Sequence, residues 1–160
     1  MKVIYLKTLV GLLVLCAIAM EMKAQTSADS AYVDMNLPSG TLWKLVNESN
    51  EFYEYEDAKA LFGKALPSQE QYEELIKHCQ WIWTGTGYLV KARNGNVIEF
   101  PACGYYNCDG YSYDEGISGR YWTSTEHNKA QTYYLAFDVE DISVDYYKNC
   151  FGRSVRLVKK

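Results

Sequence analysis

The hydrophobic pattern changes its period at Cys79, and this change limits the folds that the chain can adopt. Upstream, residues 56–62 and 68–79 carry apolar side chains at a helical spacing of three and four. Downstream, short aromatic or β-branched runs are separated by Gly, Asn and Asp, which is typical of strands joined by turns. The sequence therefore predicts two helices followed by many short strands.

Turn residues place the individual strands. Pro38-Ser39-Gly40 separates predicted strands at residues 31–37 and 41–46, and Asn94-Gly95 is a two-residue hairpin turn between strands at 88–92 and 97–100. Residues 101–119 predict a long, ordered loop region. This order favours an α+β domain with the helices beside an antiparallel sheet. Further strands are predicted at 81–83, 121–125, 132–139 and 153–158, with a weaker one at 142–146.

The N-terminus has the three parts of a secretory signal. Lys2 and Lys7 precede an apolar run over residues 9–20, and Met22-Lys23-Ala24 ends in a small residue at the expected cut. The run is shorter than the roughly twenty residues that span a bilayer. We expect a signal peptide at 1–24, a flexible segment at 25–31 and one domain at 32–160, exported to the periplasm, the cell surface or the medium.

The charge balance excludes some partners. The chain carries 16 basic and 20 acidic side chains. Residues 1–24 hold three lysines and one glutamate, which leaves 13 basic and 19 acidic side chains and a net charge of −6 after cleavage. An acidic domain argues against nucleic acid, heparin-like polymers or an anionic membrane surface as a main partner.

Four cysteines remain after cleavage, and an even number in an exported domain of this size indicates disulfides. We favour a local bridge from Cys103 to Cys108 and a long one from Cys79 to Cys150. A zinc site is the alternative, but the chain has no two-residue cysteine spacing and only two histidines.

Several phrases match a known family in order along residues 32–158. Residues 33–43, VDMNLPSGTLW, resemble its opening VDLGLPSGTLWA, and residues 65–76 resemble its LPT-x-E-E-W-x-E-L-I. Residues 100–105, 121–125 and 152–158 resemble its LPAAGYR, YWSST and GFSVRPV. The chain therefore resembles the Fibrobacter succinogenes major paralogous domain family, secreted modules of Bacteroides-type bacteria.

This resemblance implies a C-type-lectin-like fold, with two helices packed on a small twisted antiparallel sheet beside a long loop region. It implies no function, because that fold carries sugar binders, protein binders and a few enzymes. The Glu-Pro-Asn and Trp-Asn-Asp triplets of calcium-dependent lectins do not occur here. Calcium-assisted sugar binding is therefore not implied.

The loop region supplies the candidate binding residues. Aromatic rings with a polar tip can stack on sugars or anchor a protein partner, although rings in a large loop can also fill a small core beneath it. Acidic side chains in the same loop can bind a cation or simply stabilise turns. The predicted ligand-binding residues are Tyr105, Tyr106, Tyr111, Tyr113, Asp109 and Asp114.

We find no nucleophile with its base, no metal motif and no paired carboxylates, so no catalytic residue, metal or cofactor is predicted. The sequence favours an exported, non-catalytic binding or adhesion module that recognises a glycan or a surface protein through its Tyr-rich loops. A structural component of a surface assembly is one alternative. An enzyme related to the oxidase branch of the lectin-like fold, with Cys103 or Cys108 reactive, is another.

Overall fold

A computed structural model describes residues 31–160. The predicted signal peptide at 1–24, and all of the 25–31 segment except Ala31, lie outside the described residues. Within residues 31–160, none of the helices has the length and apolar character needed to cross a bilayer.

The described part of the chain contains two α-helices and eleven strands. The helices are α1 (Tyr55–Phe62) and α2 (Gln69–His78), with a 3₁₀ turn at Gly63–Ala65 between them. The strands are β1 (Tyr32–Asp34), β2 (Leu42–Lys44), β3 (Gln80–Trp83), β4 (Gly87–Lys91), β5 (Val97–Pro101), β6 (Tyr105–Tyr106), β7 (Ser112–Tyr113), β8 (Gly119–Asn128), β9 (Gln131–Phe137), β10 (Ile142–Lys148) and β11 (Val158–Lys159).

These strands form four small antiparallel sheets, because most strands pair with their neighbours in sequence. The sheets are β3-β4-β5, β10-β9-β8 and the two-stranded β6-β7. In the fourth, β2 pairs with both β1 and β11, so the two ends of the domain meet. The hairpin predicted at Pro38-Ser39-Gly40 is confirmed: Gly40 has a φ of 69° and its N–H donates to the Leu37 carbonyl.

The capping signal of the second helix is confirmed in detail. The Ser68 hydroxyl accepts a hydrogen bond from the Gln71 N–H at 3.2 Å, and the Gln71 side chain accepts one from the Ser68 N–H at 2.8 Å. This reciprocal box satisfies two donors that have no partner inside the helix. The apolar stripe places Tyr72 and Leu75 in the core, where both are fully buried.

Two apolar cores hold the elements together. The larger lies between α2 and the β3-β4-β5 and β8-β9-β10 sheets, and the smaller lies under α1. The larger core includes Trp43, Tyr72, Val90, Phe100, Tyr121 and Phe137, and the smaller includes Tyr55, Leu66, Trp122, Val155 and Leu157.

The predicted α+β, C-type-lectin-like arrangement is wrong. Strands make up 42% of the described residues and helical segments 16%, and the strands form four separate sheets instead of one sheet that carries both helices. Tight turns explain the difference, because they close β3-β4-β5 and β8-β9-β10 as independent units. The segment at 142–146, predicted as weak, is the seven-residue strand β10, and regular strand in 153–158 begins only at Val158.

Candidate functional site

The register of the β8-β9-β10 sheet brings several polar and aromatic side chains to one face. Trp122 of β8 and Asp145 of β10 both pair with Tyr134 of β9. Because side chains alternate along a strand, Arg120 and Tyr147 share that face. The opposite face carries Leu135 and Phe137 into the larger core. The sheet therefore has one face in the larger core, whereas the other face is partly covered by the smaller core at Trp122 and carries polar and aromatic side chains beyond it.

Four aromatic rings, from β6, β7, β10 and the segment after β10, form a continuous row over this face, which we call the aromatic row. Tyr113 stacks on Tyr105, its cross-strand partner, with ring centroids 5.7 Å apart. Tyr105 stacks on Phe151 at 5.9 Å, and Phe151 meets the edge of Tyr147 at 5.0 Å. Tyr113 and Tyr147 are each 45% exposed. The row therefore presents aromatic surface to solvent at both ends.

A cavity of about 370 Å³ opens beside the aromatic row. We call it the aromatic cleft. Its volume falls within the range of small-ligand sites. The lining residues are Tyr105, Arg120, Tyr134, Asp145, Tyr147, Phe151 and Arg153.

Arg153 is the most unusual residue of the cleft. It is only 2% exposed, and its guanidinium lies 4.0 Å from the centre of the Trp122 ring and 3.7 Å from that of Tyr134. Its Nε and Nη1 have no hydrogen-bond partner within the described residues. Burial lowers the pKa of Arg153 to about 9, so the side chain keeps its charge at neutral pH.

The remaining charges of the cleft are one cation and one anion. Arg120 lies 5.7 Å from the centre of the Tyr105 ring. The Asp145 carboxylate accepts a hydrogen bond from the Tyr146 N–H at 2.7 Å. The ion pairs found among residues 31–160 are Lys44–Glu48 and Lys59–Glu126, so neither arginine is paired with Asp145. The cleft therefore has a net positive charge.

A disulfide joins the two loops that carry the aromatic row. It links Cys108, in the β6-β7 turn, to Cys150, just after β10. The same loops are joined by backbone hydrogen bonds between Tyr106 and Gly152, at 3.1 and 3.0 Å. Gly152 is required there because a Cβ at this position would collide with the Tyr106 ring.

The predicted disulfide pairing is therefore wrong, although a disulfide is present. Cys79 and Cys103 are free thiols. Cys79 ends α2, whereas Cys103 lies beside Asn47, whose Nδ2 is 3.8 Å from its sulfur. Burial raises the pKa of both thiols, which disfavours the reactive thiolate.

The predicted tyrosines divide between the cleft and other roles. Tyr105 and Tyr113 belong to the aromatic row. Tyr106 packs against Gly152 and the edge of Phe52, so its role is to stabilise the β6-β7 hairpin. Tyr111 is 67% exposed in the β6-β7 turn. Tyr121, next to the predicted loop, is fully buried in the larger core.

The two predicted acidic residues have the geometry of turn residues. The Asp109 N–H donates to Asn107 Oδ1 at 3.0 Å. Asp114 has a φ of 60°, and its carbonyl accepts hydrogen bonds from the Ile117 and Ser118 N–H groups. Among residues 31–160, no group of three or more His, Cys, Asp or Glu side chains is placed to hold a metal ion.

Sequence reasoning did not identify most of the cleft. Six of its lining residues lie in β8, β9, β10 or the segment after the disulfide, outside the predicted loop region. Asp145 and Tyr147 are two residues apart in β10, and this spacing indicates that they share a face of the strand. Their neighbours on that face depend on the pairing register, which the sequence does not specify. The missed residues are Arg120, Tyr134, Asp145, Tyr147, Phe151 and Arg153.

The fold and cleft define a small, mostly β domain with a disulfide-tied aromatic cleft. Over residues 78–158, just over half of the 160 residues, the chain matches the family described as a domain of unknown function, DUF8237. The chain belongs to this family, and the matched segment contains the whole cleft and both bridged cysteines. No curated protein and no solved structure matches the chain. The resemblance to the Fibrobacter paralogous domains stays a prediction.

Proposed function

We propose that this protein is an exported, non-catalytic binding module whose aromatic cleft holds a glycan. The observation that carries the proposal is the aromatic row, in which Tyr113, Tyr105, Phe151 and Tyr147 follow one another at 5.0–5.9 Å. Each sugar ring has an apolar C–H face that packs well on an aromatic ring. The inner rings stack on one another, so the exposed end rings, Tyr113 and Tyr147, are the surfaces that suit contact with sugar units.

The cleft also offers the polar groups that orient a sugar. Tyrosine hydroxyls, Arg120 and the Asp145 carboxylate can donate or accept hydrogen bonds with sugar hydroxyls. A few polar groups among aromatic walls are typical of small-molecule sites. The combination favours a glycan over a protein partner. A cavity of about 370 Å³ suits a sugar unit better than it suits the flat surface of a protein.

The rings are held in place before any ligand arrives. The Cys108–Cys150 bridge and the Tyr106–Gly152 hydrogen bonds fix the two loops against each other. Rigid sites avoid the entropic cost of ordering loops on binding. This preorganisation supports a binding role in which the cleft keeps its shape.

The lining residues do not favour hydrolysis of the bound glycan. Glycosidases use two carboxyl groups that flank the scissile bond. Of the seven residues that line the cleft, Asp145 alone carries a carboxylate. This composition supports binding without catalysis.

A glycan array tests the proposal with the full-length chain, exported to an oxidising compartment and purified. We expect binding to at least one glycan, and a loss of roughly tenfold or more in Tyr113→Ala and in Tyr147→Ala, as for the removal of an aromatic anchor. Tyr146→Ala is the matched control, because Tyr146 lies on the other face of β10 and stacks on His127. Near-ultraviolet circular dichroism checks that each variant keeps its fold.

Two results would contradict the proposal. One is the absence of binding to any glycan on the array. The other is equal binding by the wild-type protein and both aromatic-row variants. A defined homo-oligomer with no glycan affinity would instead favour the structural alternative.

A further inference from the structure

We propose that the cleft selects a glycan that carries a carboxylate, and that Arg153 and Arg120 bind this group. The inference rests on the proposed glycan-binding function and names the class of glycan. It starts from the unpaired, buried guanidinium of Arg153.

Two buried arginines of this chain differ in their hydrogen bonds. Arg156 donates to Asn47 Oδ1 at 2.7 Å and to the carbonyls of Lys44, Leu45 and Glu99. Arg153 is equally enclosed, yet its Nε and Nη1 donate to no acceptor within residues 31–160. A buried polar group without a partner destabilises the fold. Arg156 thus has a complete structural role, whereas Arg153 has unused donors.

The aromatic neighbours of Arg153 determine where an acceptor can approach. Trp122 and Tyr134 lie close to its guanidinium, at 4.0 and 3.7 Å. Cation–π contacts of this kind stabilise the charge but accept none of its N–H groups. The N–H groups lie in the guanidinium plane, so an acceptor must come to its edge. Arg153 lines the cleft; its Nε and Nη1 are closed to solvent, and Nη2 is the donor that an acceptor in the cleft can reach.

Charge complementarity identifies the acceptor as an anion. Arg120 and Arg153 outnumber Asp145 in the cleft, in a domain whose net charge after signal cleavage is −6. A local positive site on an acidic protein attracts anions at that site alone. Guanidinium groups pair best with planar carboxylates, because two parallel N–H groups match two oxygens. A uronic-acid sugar supplies the carboxylate together with a ring for the aromatic row.

The test uses oligosaccharides in matched pairs and the full-length chain. Each pair contains a uronate oligosaccharide and the same compound after reduction of its carboxyl groups to hydroxymethyl groups. Sulfated oligosaccharides of similar size form a third arm. Affinities are measured by isothermal titration calorimetry. We expect the wild-type protein to bind a uronate member at least tenfold more tightly than its reduced and sulfated counterparts.

Substitutions in the cleft test whether its residues recognise the carboxylate. Arg120→Gln should lower affinity for the uronate roughly tenfold and affinity for the reduced partner by less, so that the ratio of uronate to reduced affinity falls. Arg153→Lys should do the same, since it keeps the charge but loses the planar fork. Asp145→Asn should raise uronate affinity by removing a like charge. Arg93→Gln, at an exposed position outside the cleft, is the matched control and should change neither affinity.

The outcomes separate this inference from the proposed function. Equal binding of uronate and reduced partners would overturn the carboxylate inference and leave glycan binding intact. Preference for the sulfated arm would also overturn it. Binding of no oligosaccharide would overturn both. A purely structural role for Arg153 would change stability without changing the ratio of uronate to reduced affinity.

Discussion

Arg153 and Arg156 extend to opposite sides of one short segment, and the odd spacing between them explains their different surroundings. The Arg153 guanidinium lies over Trp122 in the smaller core, whereas that of Arg156 lies 4.7 Å from the centre of the Phe100 ring in the larger core. Both residues are at most 2% exposed. Within four residues the chain thus places one guanidinium whose nitrogens all donate hydrogen bonds and one in which two nitrogens donate none.

This difference predicts that removing the two charges has effects of very different size. Arg156→Met should lower the free energy of unfolding by at least roughly 3 kcal/mol, because Asn47 and three carbonyls lose their donor and each unsatisfied buried acceptor costs about 1–3 kcal/mol. Arg153→Met should change it by less than about 1 kcal/mol, since the lost cation–π contacts are offset by the relief of an unpaired buried charge. Urea denaturation of both variants measures the values. A larger loss for Arg153→Met than for Arg156→Met would contradict the assignment of roles.

The Cys108–Cys150 bridge closes a loop of 42 residues and should contribute substantially to stability. In the chain-entropy model a loop of this length is worth about 4 kcal/mol. Cys108→Ser with Cys150→Ser should therefore lower the urea midpoint markedly and weaken glycan binding by loosening the aromatic row. Cys79→Ser is the control, because Cys79 is unbridged, and it should lower the midpoint much less. Equal midpoints for the control and the double variant would contradict the bridge.

The assignment of the thiols can be checked by direct labelling. Within residues 31–160, Cys79 and Cys103 should react with a maleimide after denaturation without reductant, and Cys108 and Cys150 should not. In the native protein at neutral pH the labelling of Cys103 should be slow, because burial raises the pKa of its thiol. Peptide mapping by mass spectrometry identifies the labelled sites. Fast native labelling of Cys103 would instead support the oxidase-like alternative.

Local features of the fold could be predicted because their signals lie within a few residues. The Ser68 and Gln71 box and the turns at Gly40 and Gly95 follow from turn and capping chemistry. The arrangement of sheets could not be predicted in the same way. It depends on which strands pair, and β2 pairs with β11 across more than a hundred residues.

The cleft was predicted only in part for the same reason. Tyr105 and Tyr113 were found because the loop is visibly rich in tyrosine. Arg153 was overlooked because its unusual state depends on Trp122 and Tyr134, which reach it through the register of β8 and β9. The disulfide pairing failed because four cysteines permit three pairings, and spacing does not choose among them.

Any side chain at position 152 should destabilise the protein as long as position 106 carries an aromatic ring. Gly152→Ala forces its Cβ into that ring, and overpacking of this kind destabilises by about 1–3 kcal/mol. Tyr106→Ser should remove most of this penalty, so a double-mutant cycle should give a clear coupling between the two positions. The cycle is measured by thermal denaturation. Additive effects of the two substitutions would contradict the contact.

The Lys59–Glu126 pair should make stability depend on acidic pH. Lys59 Nζ lies 2.5 Å from Glu126 Oε1, and its hydrogen bond holds the pKa of the Glu126 carboxyl below its ordinary value. The contribution of a carboxyl with a lowered pKa is fully present above its unfolded pKa, about 4.3, and is lost as the pH falls through the folded value. Between pH 7 and pH 3 the wild-type protein should therefore lose slightly more stability than Glu126→Gln, and the effect should shrink in high salt because the pair is exposed. Glu73→Gln, on the exposed face of α2, is the matched control and should reproduce the wild-type pH profile. Identical profiles for the wild-type protein and Glu126→Gln would show that the pair does not form in solution.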